Sequence, residues 1–141
     1  MNLLNLSKAR LDVITKIPYI ESQEDLIALG NEIRMLFPKG MNHITKTMNR
    51  QSAKDLAKAL VRFHEYYGYD YTKEEIIDAT KKYIETKGDS NFVYRKCSKY
   101  FIIKDESDQG KDITSELETY ISIIRDNDED IPSDSWVNDL D

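Results

Sequence analysis

The side chains able to act as acid, base, nucleophile or metal ligand are few and scattered in this sequence. The two histidines, His43 and His64, have neither a carboxylate nor a second histidine at metal-ligand spacing. His64 falls on the apolar stripe of a helical segment, where a hydrogen-bonded core histidine is expected. Cys97, the single cysteine, also falls on an inner face and reads as a small apolar residue rather than a nucleophile. Glu74 and Glu75 stand at the start of a helical pattern, where acids complement the helix dipole. No glycine-rich phosphate loop is present. The chain is therefore expected to be non-enzymatic, with no metal and no cofactor.

Binding chemistry is better represented. Between Lys39 and Arg62 there are six bases (Lys39, Lys46, Arg50, Lys54, Lys58, Arg62) and one acid, Asp55. Lys54, Lys58 and Arg62 recur every four residues, which stacks them along one helix face; Lys46 and Arg50 lead into it through a loop, Gly40 to Gln51. Together Lys46, Arg50, Lys54, Lys58 and Arg62 form a candidate surface for phosphates or nucleic acid, weighed against a plain solvated face. Tyr66, Tyr67, Tyr69 and Tyr71, four of the nine tyrosines, cluster around Gly68; a base-stacking platform is one reading and a cover over the helix turn the more ordinary one. The run from Phe92 to Phe101 places Arg95, Lys96 and Lys99 opposite Val93, Cys97 and Tyr100, adding to the case for an acidic partner, the protein's own tail among them.

That tail is the second binding feature. Residues 126–141 carry seven acids and no base, whereas the other 125 residues hold 20 bases against 19 acids, net +1. Within the acidic segment stand Ile131, Trp136, Val137 and Leu140, including the one tryptophan of the chain. Trp136 and Leu140 are four apart, so one turn of helix formed on binding presents both to a groove. The alternative is a tail folded back so that Trp136 completes the core.

The elements that must position these residues are helical. Ser22 with Asp25 caps a helix with Leu26, Leu29, Ile33, Leu36 and Phe37 inward, stopped by Pro38-Lys39-Gly40. Ser52 with Asp55 opens the next, with Leu56, Leu60, Phe63 and Tyr67 as its stripe and Gly68 as a left-handed end. Thr72 and Glu75 have capping-box spacing ahead of Ile76, Ile77, Ala79, Thr80, Tyr83 and Ile84. A fifth helical segment is expected after Asp89-Ser90-Asn91, with Val93, Cys97, Tyr100 and Phe101 on its inner face, although Tyr100-Phe101-Ile102-Ile103 alone could pass for a short strand. Thr114 is expected to open a last helix with Leu117, Tyr120, Ile121 and Ile124 inward. An opening helix over about Leu3 to Thr15, with Leu4, Ala9 or Leu11, and Ile14 to one side, ends before Pro18.

The predicted fold is all-α: a compact bundle of five to six short helices with a disordered acidic C-terminal tail. It divides into an N-terminal helical arm (1–19), a helical domain (20–125) and the tail (126–141). At 141 residues, 33% charged and with mean hydropathy -0.62, the chain suits one core and contains no run long enough to cross a bilayer. One cysteine excludes an intramolecular disulfide. Without a basic start and a long apolar segment, the N-terminus is unlike a secretory signal, and the cytoplasm is the expected location.

Tyr71-Thr72-Lys73-Glu74-Glu75-Ile76-Ile77-Asp78-Ala79-Thr80-Lys81-Lys82-Tyr83-Ile84-Glu85, then Asn91-Phe92-Val93-Tyr94-Arg95 and Lys99-Tyr100-Phe101-Ile102-Ile103-Lys104, with a late Trp136 in an acidic C-terminus, resemble small helical proteins of tailed bacteriophages. Leu36-Phe37-Pro38-Lys39-Gly40 resembles that group too, so the likeness runs over about residues 34–141. It implies a phage setting and a host-cell location, or the virion. In architecture the chain also resembles small late-transcription adaptors of large tailed phages, whose helical body holds RNA polymerase while a short acidic and hydrophobic tail docks on the sliding clamp. This implies a body of residues 20–125 and tail anchors Trp136, Val137 and Leu140. A virion or assembly protein and a nucleic-acid-binding module are the rival expectations.

Overall fold

Short polar side chains decide where the helices begin. In the computed structural model, which describes residues 2–42, 46–88, 97–104 and 113–130, Ser7 Oγ accepts from Arg10 N at the start of α1 (Lys8–Lys16). Ser22 Oγ accepts from Asp25 N before α2 (Gln23–Leu36), and Ser52 Oγ from Asp55 N before α3 (Ala53–Tyr67). At α4 (Lys73–Gly88), Thr72 Oγ1 accepts from Glu75 N at 3.1 Å while Glu75 Oε1 accepts from Thr72 N at 3.0 Å. Both orphan amides are thereby satisfied, as the capping-box spacing requires. The described fold is completed by α5 (Ser98–Ile102), α6 (Glu116–Asp130) and an antiparallel hairpin of β1 (Met41–Asn42) and β2 (Thr47–Met48). The fold is all-α.

The core forms where the apolar stripes meet. The most extensive interface joins α2 to α3, α6 packs on α4, and α5 contacts both α3 and α6. Leu26, Leu29 and Ile33 of α2 and Leu56, Leu60 and Phe63 of α3 are buried. An aromatic group links the layers: the Phe101 ring lies 5.7 Å from Phe37 and 4.6 Å from Tyr83, which meets Tyr120 edge-on at 5.4 Å. Gly68 ends α3 with φ 101° and ψ -166°, a backbone region open to glycine almost alone, rather than the expected left-handed helical conformation.

Several expectations change. The N-terminal arm, whose packing the sequence leaves open, lies on the body: Leu4, Val13, Ile14 and Ile17 are buried and Leu11 packs against the core, while Ala9 faces solvent. The helix starts at Lys8 because Ser7 caps it there. Ser115, not Thr114, caps α6, its Oγ accepting from Glu118 N at 3.1 Å and donating to Ile102 O at 2.6 Å; Thr114 is held instead in a bridge with Lys104. Tyr100 is 39% exposed and not inward, since a helix that begins at Ser98 turns Phe101 and Ile102 to the core. Helix α6 continues through Asp130 and so takes in the first five residues of the expected tail, 126–130, with no Pro or Gly before Pro132 to stop it. The expected cap at Asp89-Ser90-Asn91, with Val93, Arg95 and Lys96, lies outside the described residues, as do His43 and residues 131–141.

Candidate anion-binding groove

A polar clamp sets α5 against α3. Ser98 Oγ accepts from Gln51 N at 3.0 Å and donates to Gln51 Oε1 at 2.7 Å; the same oxygen accepts from Lys99 N at 2.8 Å, and Ser98 N donates to Asn49 O at 2.9 Å. Ser98 is wholly buried, so its hydroxyl has no water to turn to, and its bonds with the partly buried Gln51 fix the angle at which α5 leaves. Asn49 and Gln51, at the end of the loop that leads into α3, thereby form a structural joint.

The clamp holds Lys99 and Tyr100 across from the exposed face of α3. Between them lies a groove of about 300 Å³ lined by Asp55, Lys58, Ala59, Arg62, Lys99, Tyr100 and Ile103. Lys99 Nζ is 6.0 Å and Lys104 Nζ 5.4 Å from the centre of the Tyr100 ring, within reach of a cation–π attraction. Arg62 Nε lies 3.4 Å from Glu65 Oε1, which also faces Arg10 at 3.7 Å, so its charge is shared. Among the described residues Lys58 and Lys99 have no carboxylate partner. With three cations, one acid and an aromatic face, the groove is suited to a carboxylate or phosphate carried beside an apolar group.

The five expected anion contacts thus divide. Lys58 and Arg62 line the groove, and Lys54, one turn back on the same face, is exposed. Arg50 serves the fold: its Nε donates to Phe37 O at 2.7 Å and its Nη2 to Met35 O at 3.4 Å, placing its charge at the C-terminal end of α2, where unpaired carbonyls and the helix dipole favour a cation. Lys46 is on the hairpin turn with φ 62° and does not line the groove. Lys99, named with the mixed basic and aromatic run as a contact for an acidic partner, lines the groove, whereas Tyr100, expected on an inner face, forms its exposed wall. Ile131, Trp136, Val137 and Leu140 lie outside the described residues.

Titratable groups perturbed by their surroundings serve the structure. His64 is fully buried, with Nδ1 2.8 Å from Gly68 O and Nε2 2.6 Å from Tyr19 Oη. A carbonyl only accepts, so Nδ1 carries the proton and Nε2 accepts from the tyrosine hydroxyl. Burial pushes His64 below the usual histidine range, with the Gly68 bond opposing, and burial raises Tyr19 far above the tyrosine range. The tyrosines around Gly68 cover this end of the core: Tyr69 stacks on His64 at 5.9 Å, and Tyr67 and Tyr71 pack on Phe63. Arg125 caps the group with its guanidinium 5.2 Å from the Tyr71 ring, bonding Glu75 at 2.6 and 2.9 Å and Asp70 O at 2.6 Å. Its guanidinium, ahead of the Thr72 contacts, holds the Glu75 carboxyl below the usual carboxylate range against the opposing effect of burial.

A larger cleft of about 710 Å³ separates the N-terminal segment from the start of α2 and is lined by Leu3, Leu11, Ile14, Thr15, Ser22, Gln23 and Glu24. It offers an anion no cation, and its polar groups are engaged in the fold: Ser22 caps α2 and Gln23 Oε1 accepts from Leu4 N. Cys97 is buried. Among the described residues no group of three or more His, Cys, Asp or Glu side chains is placed to hold a metal, and no helix is long and apolar enough to cross a membrane. No protein-family model matches the chain, and neither a curated protein nor a solved structure is significantly similar to it.

Proposed function

We propose that this chain is a non-catalytic adaptor that works by protein contact, with its body binding one partner through the groove between α3 and α5 and residues 131–141 binding a second. The observation that carries this reading is the groove itself: Lys58 and Lys99, unpaired with any carboxylate among the described residues, stand around the exposed Tyr100 ring. The strongly perturbed groups, in contrast, are committed to internal bonds. The acidic segment with Ile131, Trp136, Val137 and Leu140 adds a tryptophan anchor and electrostatic steering, features that favour association. The resemblance to phage proteins makes RNA polymerase and the sliding clamp the partners to test first.

The test is capture of purified bacterial RNA polymerase and sliding clamp by three baits: the full chain, a truncation after Asp130, and Lys58→Glu with Lys99→Glu. The truncation ends at Asp130 because α6 runs that far. An adaptor loses one partner with the segment and another with the groove; a chain whose captures are indifferent to both changes does not act in this way.

A nucleic-acid reading draws on Lys54, Lys58 and Arg62, which share one face of α3. Against it, Asp55 stands between Lys54 and Lys58, Glu65 pairs with Arg62, and Arg50 is tied to α2. It predicts affinity for an oligonucleotide that falls steeply with salt.

A further inference from the structure

The lining of the groove specifies what fits it. Ala59 and Ile103 give an apolar floor, the 39%-exposed Tyr100 ring a flat wall, and Lys58, Arg62 and Lys99 a cationic rim. An occupant must offer an aromatic or branched side chain with a carboxylate on either side. At about 300 Å³ the groove takes one large side chain with a little backbone. Asp55 in the same lining opposes a run of phosphates, whose charges repeat without a gap, but leaves room for carboxylates spaced along a peptide.

Residues 131–141, Ile-Pro-Ser-Asp-Ser-Trp-Val-Asn-Asp-Leu-Asp, meet that description. Trp136 stands between Asp134 and Asp139, and the segment holds no base to oppose the groove's charge. The attachment point is favourable as well. Arg125, five residues before the end of α6, packs on Tyr71, and Tyr71 packs on Phe63 of α3, so two side chains link this part of α6 to the C-terminal half of the helix that carries Lys58 and Arg62. Six residues lead from Asp130 to Trp136 and span roughly 20 Å when extended, about the length of α3 itself.

We propose that residues 131–141 dock in the α3–α5 groove of their own molecule, Trp136 against Tyr100 and Asp134 and Asp139 toward Lys58 and Lys99. Docked, the segment hides both binding surfaces at once, and a partner of either one has to displace it. The inference rests on the groove's reading as an anion site, and not on the identity of any external partner.

Because Trp136 is the one tryptophan, its fluorescence in the intact chain reports the segment alone. The expected result is a blue-shifted emission shielded from a soluble quencher. In Lys58→Glu with Lys99→Glu, and separately in Tyr100→Ala, emission moves to that of a solvated indole and quenching rises about two-fold or more, with helical circular dichroism unchanged. Raised salt weakens the shielding in the wild type, as expected for exposed charge pairs. A solvated indole in the wild type overturns the proposal, and so does a shielded one that ignores the groove substitutions. Shielding lost on dilution assigns the groove to the segment of a second copy and overturns the intramolecular form. An oligonucleotide that binds through Lys58 and Lys99 while Trp136 is solvated throughout assigns the groove to phosphates and overturns it too. If Trp136 is free but partner capture still requires Lys58 and Lys99, this inference falls and the adaptor reading stands.

Discussion

Gly30 lies mid-helix in α2 against the first turn of α3, where an added Cβ would come 2.6 Å from Ala53 O and 3.3 Å from both Ala57 N and Leu56 Cβ. Ala53 O and Ala57 N are the two atoms that close that turn, so the obstacle is helix backbone and cannot swing aside. A carbon normally stands about 3.3 Å or more from a carbonyl oxygen, so in Gly30→Ala the two helices must part by roughly 0.7 Å. A gap of that size forfeits about a quarter to a half of each dispersion contact across it, and it opens along the interface of Leu26, Leu29 and Ile33 with Leu56 and Leu60, all buried.

Two effects of opposite sign compete in this variant. Alanine is favoured over glycine in a helix by about 1 kcal/mol, while overpacking a close interface costs about 1–3 kcal/mol. The expected balance is a net loss of up to about 2 kcal/mol, or about 2–4 °C in melting temperature per kcal/mol for a chain approaching 150 residues. Asn31→Ala, next along α2 and exposed, gains the propensity without the clash. Urea unfolding of both variants at unchanged slope separates the terms. A Gly30→Ala midpoint as high as that of Asn31→Ala would refute the close-approach argument.

Tyr19→Phe removes the donor to buried His64 Nε2 and should cost about 1–3 kcal/mol in urea unfolding. Because the folded state holds His64 neutral, its contribution is intact above the ordinary histidine value of 6.5 and is lost as pH falls below it toward the depressed folded value; His64→Gln should lack that phase. Glu75→Gln gives up the bidentate bond to Arg125 and should lose about 1 kcal/mol, discounted for the partial exposure of both groups. The stabilisation from Glu75 is present above the carboxylate range and disappears as pH falls through its lowered folded value, so an acid titration of the variant should lack that loss. Ser98→Ala leaves Gln51 N without its acceptor and should cost about 1–3 kcal/mol; hydrogen exchange at Lys99 N, whose acceptor Gln51 Oε1 loses its anchor, should quicken.

What the sequence made legible was chemistry confined to one turn. The caps at Ser22, Ser52 and Thr72 need only a side-chain oxygen and an amide three residues on, and the stripes of α2, α3 and α4 need only a 3.6-residue period. Where a distant partner decides, the same rules gave the wrong neighbour. Thr114 and Ser115 are both adequate caps, and the bridge from Lys104 to Thr114 selects between them. Tyr100 followed the register of Cys97 until the clamp from Gln51 fixed a helix start at Ser98. Two-residue strands have no period to detect, so the hairpin at Met41–Asn42 and Thr47–Met48 left no signal.

The groove follows the same division. Lys54, Lys58 and Arg62 share a face by spacing alone, but spacing cannot tell a cation that faces a ligand from one that serves the chain. Arg50 extends the run in sequence and is consumed by carbonyls of Met35 and Phe37, 15 and 13 residues away. Lys99 and Tyr100 come from beyond α4 and face Lys58 only because Ser98, Gln51 and Asn49 lock together. The site is therefore coupled to a joint of the fold. A substitution at Ser98, which does not line the groove, should weaken binding there together with stability, whereas Lys58→Glu with Lys99→Glu, at exposed positions, should weaken binding and leave unfolding nearly unchanged. That contrast distinguishes a surface that binds from one that merely remains solvated.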